Sequence, residues 1–314
     1  MVFNIKQSIM KRIVITGGTG FLGISLAKFL KEKGYQPILV ARHKPNLDFE
    51  FVQWDGVTLG DWCEVLEGAT AIVNLAGRSV DCIKTPDHCD EILRSRVDST
   101  KVIGEALKSV KNPPKVWVQM STAHIYGDSV AQVCDEGSST GYGLAPFVGK
   151  AWEKTFLAAL PENTRGVRLR TSFVIGRNGG ALSSLKRIVN LGLGGKVGSG
   201  KQGMSWIHES DLNNLIYEAI TNDKYDGFYI ASAPNPVSNQ EFMKELRGAM
   251  RSFIAFSLPL FMIKFGAKYV FKTDPELAIY GRYVKSKRLE EERFTFNYPD
   301  LSQAFDNLFS SKEN

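Results

Sequence analysis

Cysteine is scarce in this chain: Cys63, Cys82, Cys89 and Cys134 are the only four in 314 residues. They are too few and too scattered for a disulfide framework, so a reducing, cytoplasmic setting is expected. Cys82 and Cys89 flank His88, but no CxxC or HxxxH spacing accompanies them, and no metal site is expected. Charge of one sign is not concentrated either. The net charge is +6 and the pI about 9.0, yet cations alternate with acids and no basic run is interleaved with aromatics. Nucleic acid is therefore not an expected partner, whereas an anionic small molecule is compatible. Long apolar runs are missing. The opening MVFNIKQSIM has neither the apolar stretch nor the cleavage site of a signal peptide. The most apolar segment, FIAFSLPLFMIKFGAKYVF (253–271), is broken by Pro259, Lys264 and Lys268. A membrane span needs about 20 nearly uninterrupted apolar residues. The segment reads as one or two helices packing on the protein itself, with a membrane-surface helix as the lesser alternative. No internal repeat or low-complexity stretch occurs.

What is present is alternation. With 43% hydrophobic residues the chain has ample material for a core. KRIVITGG (11–18) reads as a strand running into glycines, FLGISLAKFLKEKG as a helix, and YQPILVAR (35–42) as a second strand. A short helix at 62–68 precedes a buried strand, TAIVNLAG (70–77). A helix then runs through DEILRSRVDSTKVIGEALKSV, followed by a strand at KVWVQMST (115–122) and a helix at KAWEKTFLAAL. GVRLRTSFVIG (166–176) and FYIASA (228–233) are further strands. Strand and helix in turn imply an α/β fold, a doubly wound parallel sheet with helices on both faces. After residue 180 the pattern changes, and the glycine-rich NLGLGGKVGSGKQ (190–202) reads as a loop over a site. The expected division is a dinucleotide-binding domain over 11–180 and 205–233, with a smaller substrate-side C-terminal domain over 181–204 and 234–314.

The most informative motif is IVITGGTGFLG, with Gly17, Gly20 and Gly23 between a strand and a helix. Glycines there permit a tight turn and close approach of a pyrophosphate, whose charge rests on the helix N-terminus. The second strand distinguishes the dinucleotides. An acid at its end would bond the ribose hydroxyls of NAD, but this strand ends in LVARHK, with Arg42, His43 and Lys44. A guanidinium can hold a 2′-phosphate bidentately, so NADP(H) is the expected cofactor.

TGGTGFLG, NLAG (74–77), STAHIYG (121–127), LRTSFVIG (169–176) and SWIHESDL (205–212) follow the order and spacing of the extended short-chain dehydrogenase/reductases. LGLGGKVGSGKQGMSWIH, APNPVSNQEF (233–242) and FTFNYPDLSQAF (294–305) resemble more closely an atypical branch of that superfamily. This is the sugar-nucleotide epimerase-like branch, whose members carry a C-terminal domain of unknown function. The resemblance covers about residues 11–310. It implies a Rossmann domain with a small α/β substrate domain, NADP(H) binding, and cofactor contacts from Gly17, Thr19, Gly20, Phe21, Leu22 and Gly23. It further implies Ala41 and Arg42 flanking the adenosine phosphate and Leu75 and Ala76 on the adenine-ribose side. Glu91 and Arg96 match positions reaching the cofactor from the next helix, and Val174 one near the nicotinamide. Many members have an Arg-Trp-Thr segment after NLAG where this chain has VDCIKTPDHCDE, so Glu91 is placed across a divergent stretch.

In the wider superfamily a Tyr and a Lys four residues later share one helix face, and the Lys lowers the phenol's pKa for proton exchange with a carbonyl or alcohol. Here YGLAPFVGKAWEK (142–154) occupies that helix, with Ala145 and Gly149 at the two positions, or Phe147 and Ala151 in a shifted register. Pro146 suits a first helical turn, which leaves Tyr142 outside any helix containing Lys150. Phe147, Val148, Ala151, Trp152, Thr155 and Phe156 form one face, with Lys150, Glu153 and Lys154 opposite, so Phe147 and Trp152 are expected to anchor the helix. Thr122 is the candidate that orients the reacting oxygen and Tyr126 the candidate proton donor, with His124 and Tyr142 as alternatives. His208 reads first as structural and second as a substrate-side contact with Trp206. The leading expectation is an NADP(H)-dependent oxidoreductase acting on a small carbonyl or alcohol. A nucleotide-sugar epimerase or dehydratase with retained cofactor, or a non-catalytic NADP(H) sensor, are the alternatives. A small-molecule substrate is the expected partner, a homodimer is compatible, and no integral membrane segment is expected.

Overall fold

The computed structural model describes residues 11–257, 274 and 279–310, without the side chains of 129–131. Its centre is a seven-stranded sheet in which every pair is parallel. The strands are β1 (Arg12–Thr16), β2 (Gln36–Ala41), β3 (Glu50–Gln53), β4 (Ala71–Asn74), β5 (Val116–Thr122), β7 (Arg165–Thr171) and β11 (Gly227–Ala231). The order is β11-β7-β5-β4-β1-β2-β3, so the winding reverses between β1 and β4. Successive side chains serve opposite faces. Ile13 and Ile15 join one core with Leu26, Leu30, Leu212 and Leu215, while Val14 joins the other with Trp62, Ile103 and Trp117. Burial on both faces is why these strands read as continuous apolar runs.

The first core is covered by α1 (Phe21–Glu32) and α5 (Glu209–Thr221), the second by α2 (Pro86–Ser109) and α3 (Leu144–Ala159). Helix α2 starts four residues earlier than its apolar periodicity indicates. Thr85 caps it by accepting from the His88 amide at 3.2 Å, and Pro86 occupies the first turn, where a missing N–H costs nothing. The short helix expected at 62–68 is a 3-10 turn over Asp61–Leu66.

GVRLRTSFVIG, expected as one strand, is two. At Ser172 the chain leaves the main sheet, and β8 (Phe173–Ile175) pairs with β10 (Trp206–His208). A second sheet has the order β12-β9-β13-β6, from β6 (Ser129–Cys134), β9 (Gly203–Met204), β12 (Val237–Ser238) and β13 (Arg282–Val284). A third core forms around α4 (Leu182–Asn190), α6 (Asn239–Ala249) and α8 (Leu301–Phe309), with Trp206, Phe242 and Phe305 at its centre. A short α7 (Lys287–Glu291) packs near β11. Of the apolar segment 253–271, residues 253–257 are irregular and exposed, and the remainder lies outside the described residues. Among the described residues no helix is long and apolar enough to cross a membrane.

Candidate functional site

The C-terminal edge of β1 meets that of β4 where the winding reverses, the place where open α/β sheets hold ligands. Gly17 turns the chain there with φ +70°. A Cβ on it would lie 2.7 Å from the Leu75 carbonyl carbon and 2.8 Å from the Ala76 nitrogen, so only glycine lets the two loops touch. Gly23 makes the return packing, where a Cβ would lie 2.5 Å from Gly18. Gly20 begins α1 with no side-chain cap, and the first turn carries no acid. The amides of that turn are thus left for an anion. Thr19 lies in the turn between. Leu22 packs into the core, and the Phe21 ring is held under the Gly176–Gly180 loop beside Val174, where Cβ atoms on Gly176 and Gly179 would come within 2.4 and 2.7 Å of it.

A polar ladder fixes the 75–77 loop. Thr16 Oγ1 donates to Asn74 Oδ1 at 2.8 Å, and Asn74 Nδ2 donates to Gln119 Oε1 at 3.0 Å. The same Asn74 oxygen accepts the Ala76 amide at 3.0 Å. Arg96 lies over this loop, its guanidinium carbon 3.3 Å from where a Cβ on Gly77 would stand. It also packs over the Trp152 ring at 5.2 Å and donates to the Ile92 carbonyl at 3.0 Å. Burial pushes Arg96 down to about 10, and it has no carboxylate partner among the described residues. Glu91 is paired with Arg78, the next residue along the loop, rather than with Arg96. At the end of β2, Ala41 is buried and Arg42, His43 and Lys44 are exposed. The Gly17 amide donates to the Val40 carbonyl at 2.9 Å, tying this end to the glycine turn. The glycine turn, the Leu75–Ala76 loop and the end of β2 thus meet on one edge of the sheet. Gln119 and Asn74, with Thr100 Oγ1 accepting from Asn74 Nδ2 at 3.3 Å, are the supports that sequence reasoning missed, and their signal is a polar residue inside an apolar strand or helix face.

Thr122 ends β5, and its Oγ1 accepts the His124 amide at 3.1 Å. Helix α3 passes so close that a Cβ on Gly149 would lie 3.2 Å from Thr122 Cγ2 and from Ile125 Cγ1. Gly149, the lysine position in one of the two registers, is thus in close contact with Thr122 and Ile125. Tyr142 precedes the helix and is 94% exposed, with Lys150 Nζ 5.8 Å from its ring centre. Two residues differ from the helical-face reading. Phe147 points out, and Glu153 is buried. Its carboxylate accepts from Arg170 at 2.8 Å on both oxygens, from Ser121 at 2.7 Å and from Arg168 at 3.2 Å. Burial alone would raise Glu153, but these donors outweigh it and hold its pKa below the ordinary value. Arg168 and Arg170 come from β7, so periodicity within α3 alone did not reveal this partner.

Tyr126 is drawn into the same cluster. Its hydroxyl accepts from Arg170 at 2.8 Å, and burial pushes the phenol up to about 12, Arg170 opposing only in part. Burial, aided by Arg282, pushes His124 down to about 3, so its ring is neutral at physiological pH. His208 caps α5, accepting the Ser210 amide at 3.1 Å and stacking on Tyr298, and burial lowers it to about 4. Its structural reading fits this placement. No group of three or more metal-ligating side chains occurs among the described residues.

Relatives of known sequence and structure share this architecture. The Arabidopsis thaliana protein named Epimerase family protein SDR39U1 homolog, chloroplastic, is 31% identical over 95% of this chain and 86% of its own length. The Homo sapiens Epimerase family protein SDR39U1 is 30% identical over 93% of this chain and 98% of its own. The crystal structure of that human protein (isoform 2) with NADPH superposes with a TM-score of 0.84 at 27% identity, covering 96% of this chain and 99% of the other. The glycine turn at a parallel-sheet switch point, these relatives, and a family match spanning residues 13–231 lead to one conclusion: the chain belongs to the NAD dependent epimerase/dehydratase family.

Proposed function

We propose that this protein binds NADP(H) at the β1/β4 edge and acts as an oxidoreductase on a small carbonyl or alcohol. The substrate would be held by a C-terminal part formed from residues 181–204 and 234–314. The observation that carries the cofactor reading is an α1 N-terminus free of caps and acids beside a β2 end that is cationic and carries no acid. The NADPH in the human relative's structure supports it. In this reading Gly17, Thr19, Gly20, Phe21, Leu22 and Gly23 wrap the pyrophosphate. Ala41 and Arg42 receive the 2′-phosphate, and Leu75 and Ala76 line the adenine-ribose side. Arg96 supplies an unpaired guanidinium, Glu91 orients Arg78, and Val174 borders the nicotinamide. The bound nicotinamide would supply or accept the hydride.

Thr122 orients the substrate oxygen. Tyr126, oriented by Arg170 and pushed up to about 12, stays protonated and is the candidate that gives the substrate oxygen its proton as the hydride arrives, or takes it back in the reverse direction. The second reading, an epimerase or dehydratase that retains its cofactor, uses the same residues and is supported by the family itself. Titration with NADPH and NADH tests the cofactor, and equal affinity for the two would count against it. NADPH consumption across a carbonyl panel supports the oxidoreductase. Nucleotide-sugar turnover without net consumption supports the epimerase, and binding without either leaves a sensor.

A further inference from the structure

Away from the cofactor edge, cations and exposed apolar side chains meet on one face. Gln240, Lys244 and Arg247 recur at helical spacing on α6 and, with Lys196, Ser257 and the Gly195 backbone, line a depression of about 300 Å³. No acid lines it. Glu241 and Glu245 stand on the neighbouring stripe of α6. Arg247 Nη1 donates to the Gly194 carbonyl at 2.5 Å, fixing one cation against the glycine loop. Lys196 and Lys244 are exposed and form no ion pair among the described residues.

Beside the depression stand Leu191, Phe253, Ile254 and Phe256, exposed by 64, 98, 56 and 67%. They are neighbours across the glycine loop. The Phe256 amide donates to the Gly192 carbonyl at 3.0 Å, the Gly195 amide donates to the Phe256 carbonyl at 3.2 Å, and a Cβ on Gly192 would lie 3.0 Å from Ile254. The apolar side chains are thus presented by a backbone pinned to the loop. Such a patch calls for an occupant.

We propose that this face docks on an anionic phospholipid surface, Phe253, Ile254, Phe256 and Leu191 entering the interfacial layer while Lys196, Lys244 and Arg247 meet lipid phosphates. An apolar centre bordered by cations complements that surface. A second copy is less favoured, because the lining itself offers no acid to pair with these three cations. The inference is independent of the cofactor reading.

The test is co-sedimentation of the full chain with vesicles of phosphatidylcholine alone or mixed with phosphatidylglycerol. Binding is expected to the anionic vesicles and to weaken as salt screens the charges. Lys244→Glu removes one cation and adds an anion, and should weaken binding about thirtyfold. Phe253→Ser should weaken it about tenfold. Both side chains are exposed, so the melting temperature should not move. No binding to anionic vesicles, or binding indifferent to both variants, overturns the proposal. A dimer in sedimentation velocity that Phe253→Ser dissolves also overturns it, making the face a self-association surface.

Discussion

In the proposed reading a single guanidinium at the end of β2 separates two cofactors. Arg42 has no acid beside it in sequence and is exposed at the edge where the glycine turn begins. Arg42→Ala should weaken NADPH binding by about 1.5–3 kcal/mol, the worth of a charge-assisted contact, and leave NADH binding unchanged. Isothermal titration with both nucleotides measures the difference. Two histidines make a second residue-scale prediction. His124 and His208 are lowered to about 3 and about 4, chiefly by burial, from an unfolded value near 6.5. Between about pH 6.5 and 4 the unfolded chain therefore binds protons that the folded chain refuses, so stability falls on acidification through that window and is fully present above it. Melting temperatures should drop from pH 7 to pH 5, and His208→Asn, which keeps a capping side chain on α5, should flatten the slope. An unchanged slope in that variant would remove His208 from the account. Neither burial could be read from sequence, because STAHIYG and SWIHESDL show a histidine beside polar residues and conceal the packing of Arg282 and Tyr298.

Helix α3 shows what an element contributes beyond its residues. Its position, its start and its lack of a tyrosine–lysine pair are legible in YGLAPFVGKAWEK. The close approach of Gly149 to Thr122 and Ile125 is not, since it joins elements apart in the chain. Grafting the pair as Ala145→Tyr with Gly149→Lys should therefore not create activity. It should destabilise the fold by about 1–3 kcal/mol, because the lysine stem overpacks a closed contact. Chemical denaturation of the double variant measures this, and a neutral result would show that α3 can move aside. Glu153, read as lying opposite the apolar face with Lys150 and Lys154, is instead buried. A helical wheel sorts residues by the helix's own polarity, whereas Glu153 is turned inward by two arginines on β7. The alternating charges of GVRLRTS were visible, but their partner lay across the sheet.

At the scale of the molecule, the parallel sheet was legible because strands covered on both faces leave long apolar runs and glycine turns between them. The second sheet was not, because β9 and β12 are two residues each and β6 reaches β13 from about 150 residues away. The main sheet joins residues 12 to 231 through parallel neighbours, and the candidate cofactor edge is formed by β1, β2 and β4 near its middle. A ligand there touches strands that each belong to the two large cores, so it cannot bind an unfolded sheet. Binding should then stabilise the whole fold by mass action. NADPH at about 100 times its dissociation constant should add about 2.7 kcal/mol, raising the melting temperature by several degrees. NADH at the same concentration should shift it less, and Arg42→Ala should bring the two shifts together. Equal shifts in the unaltered protein would show that the cationic end of β2 does not read the 2′-phosphate.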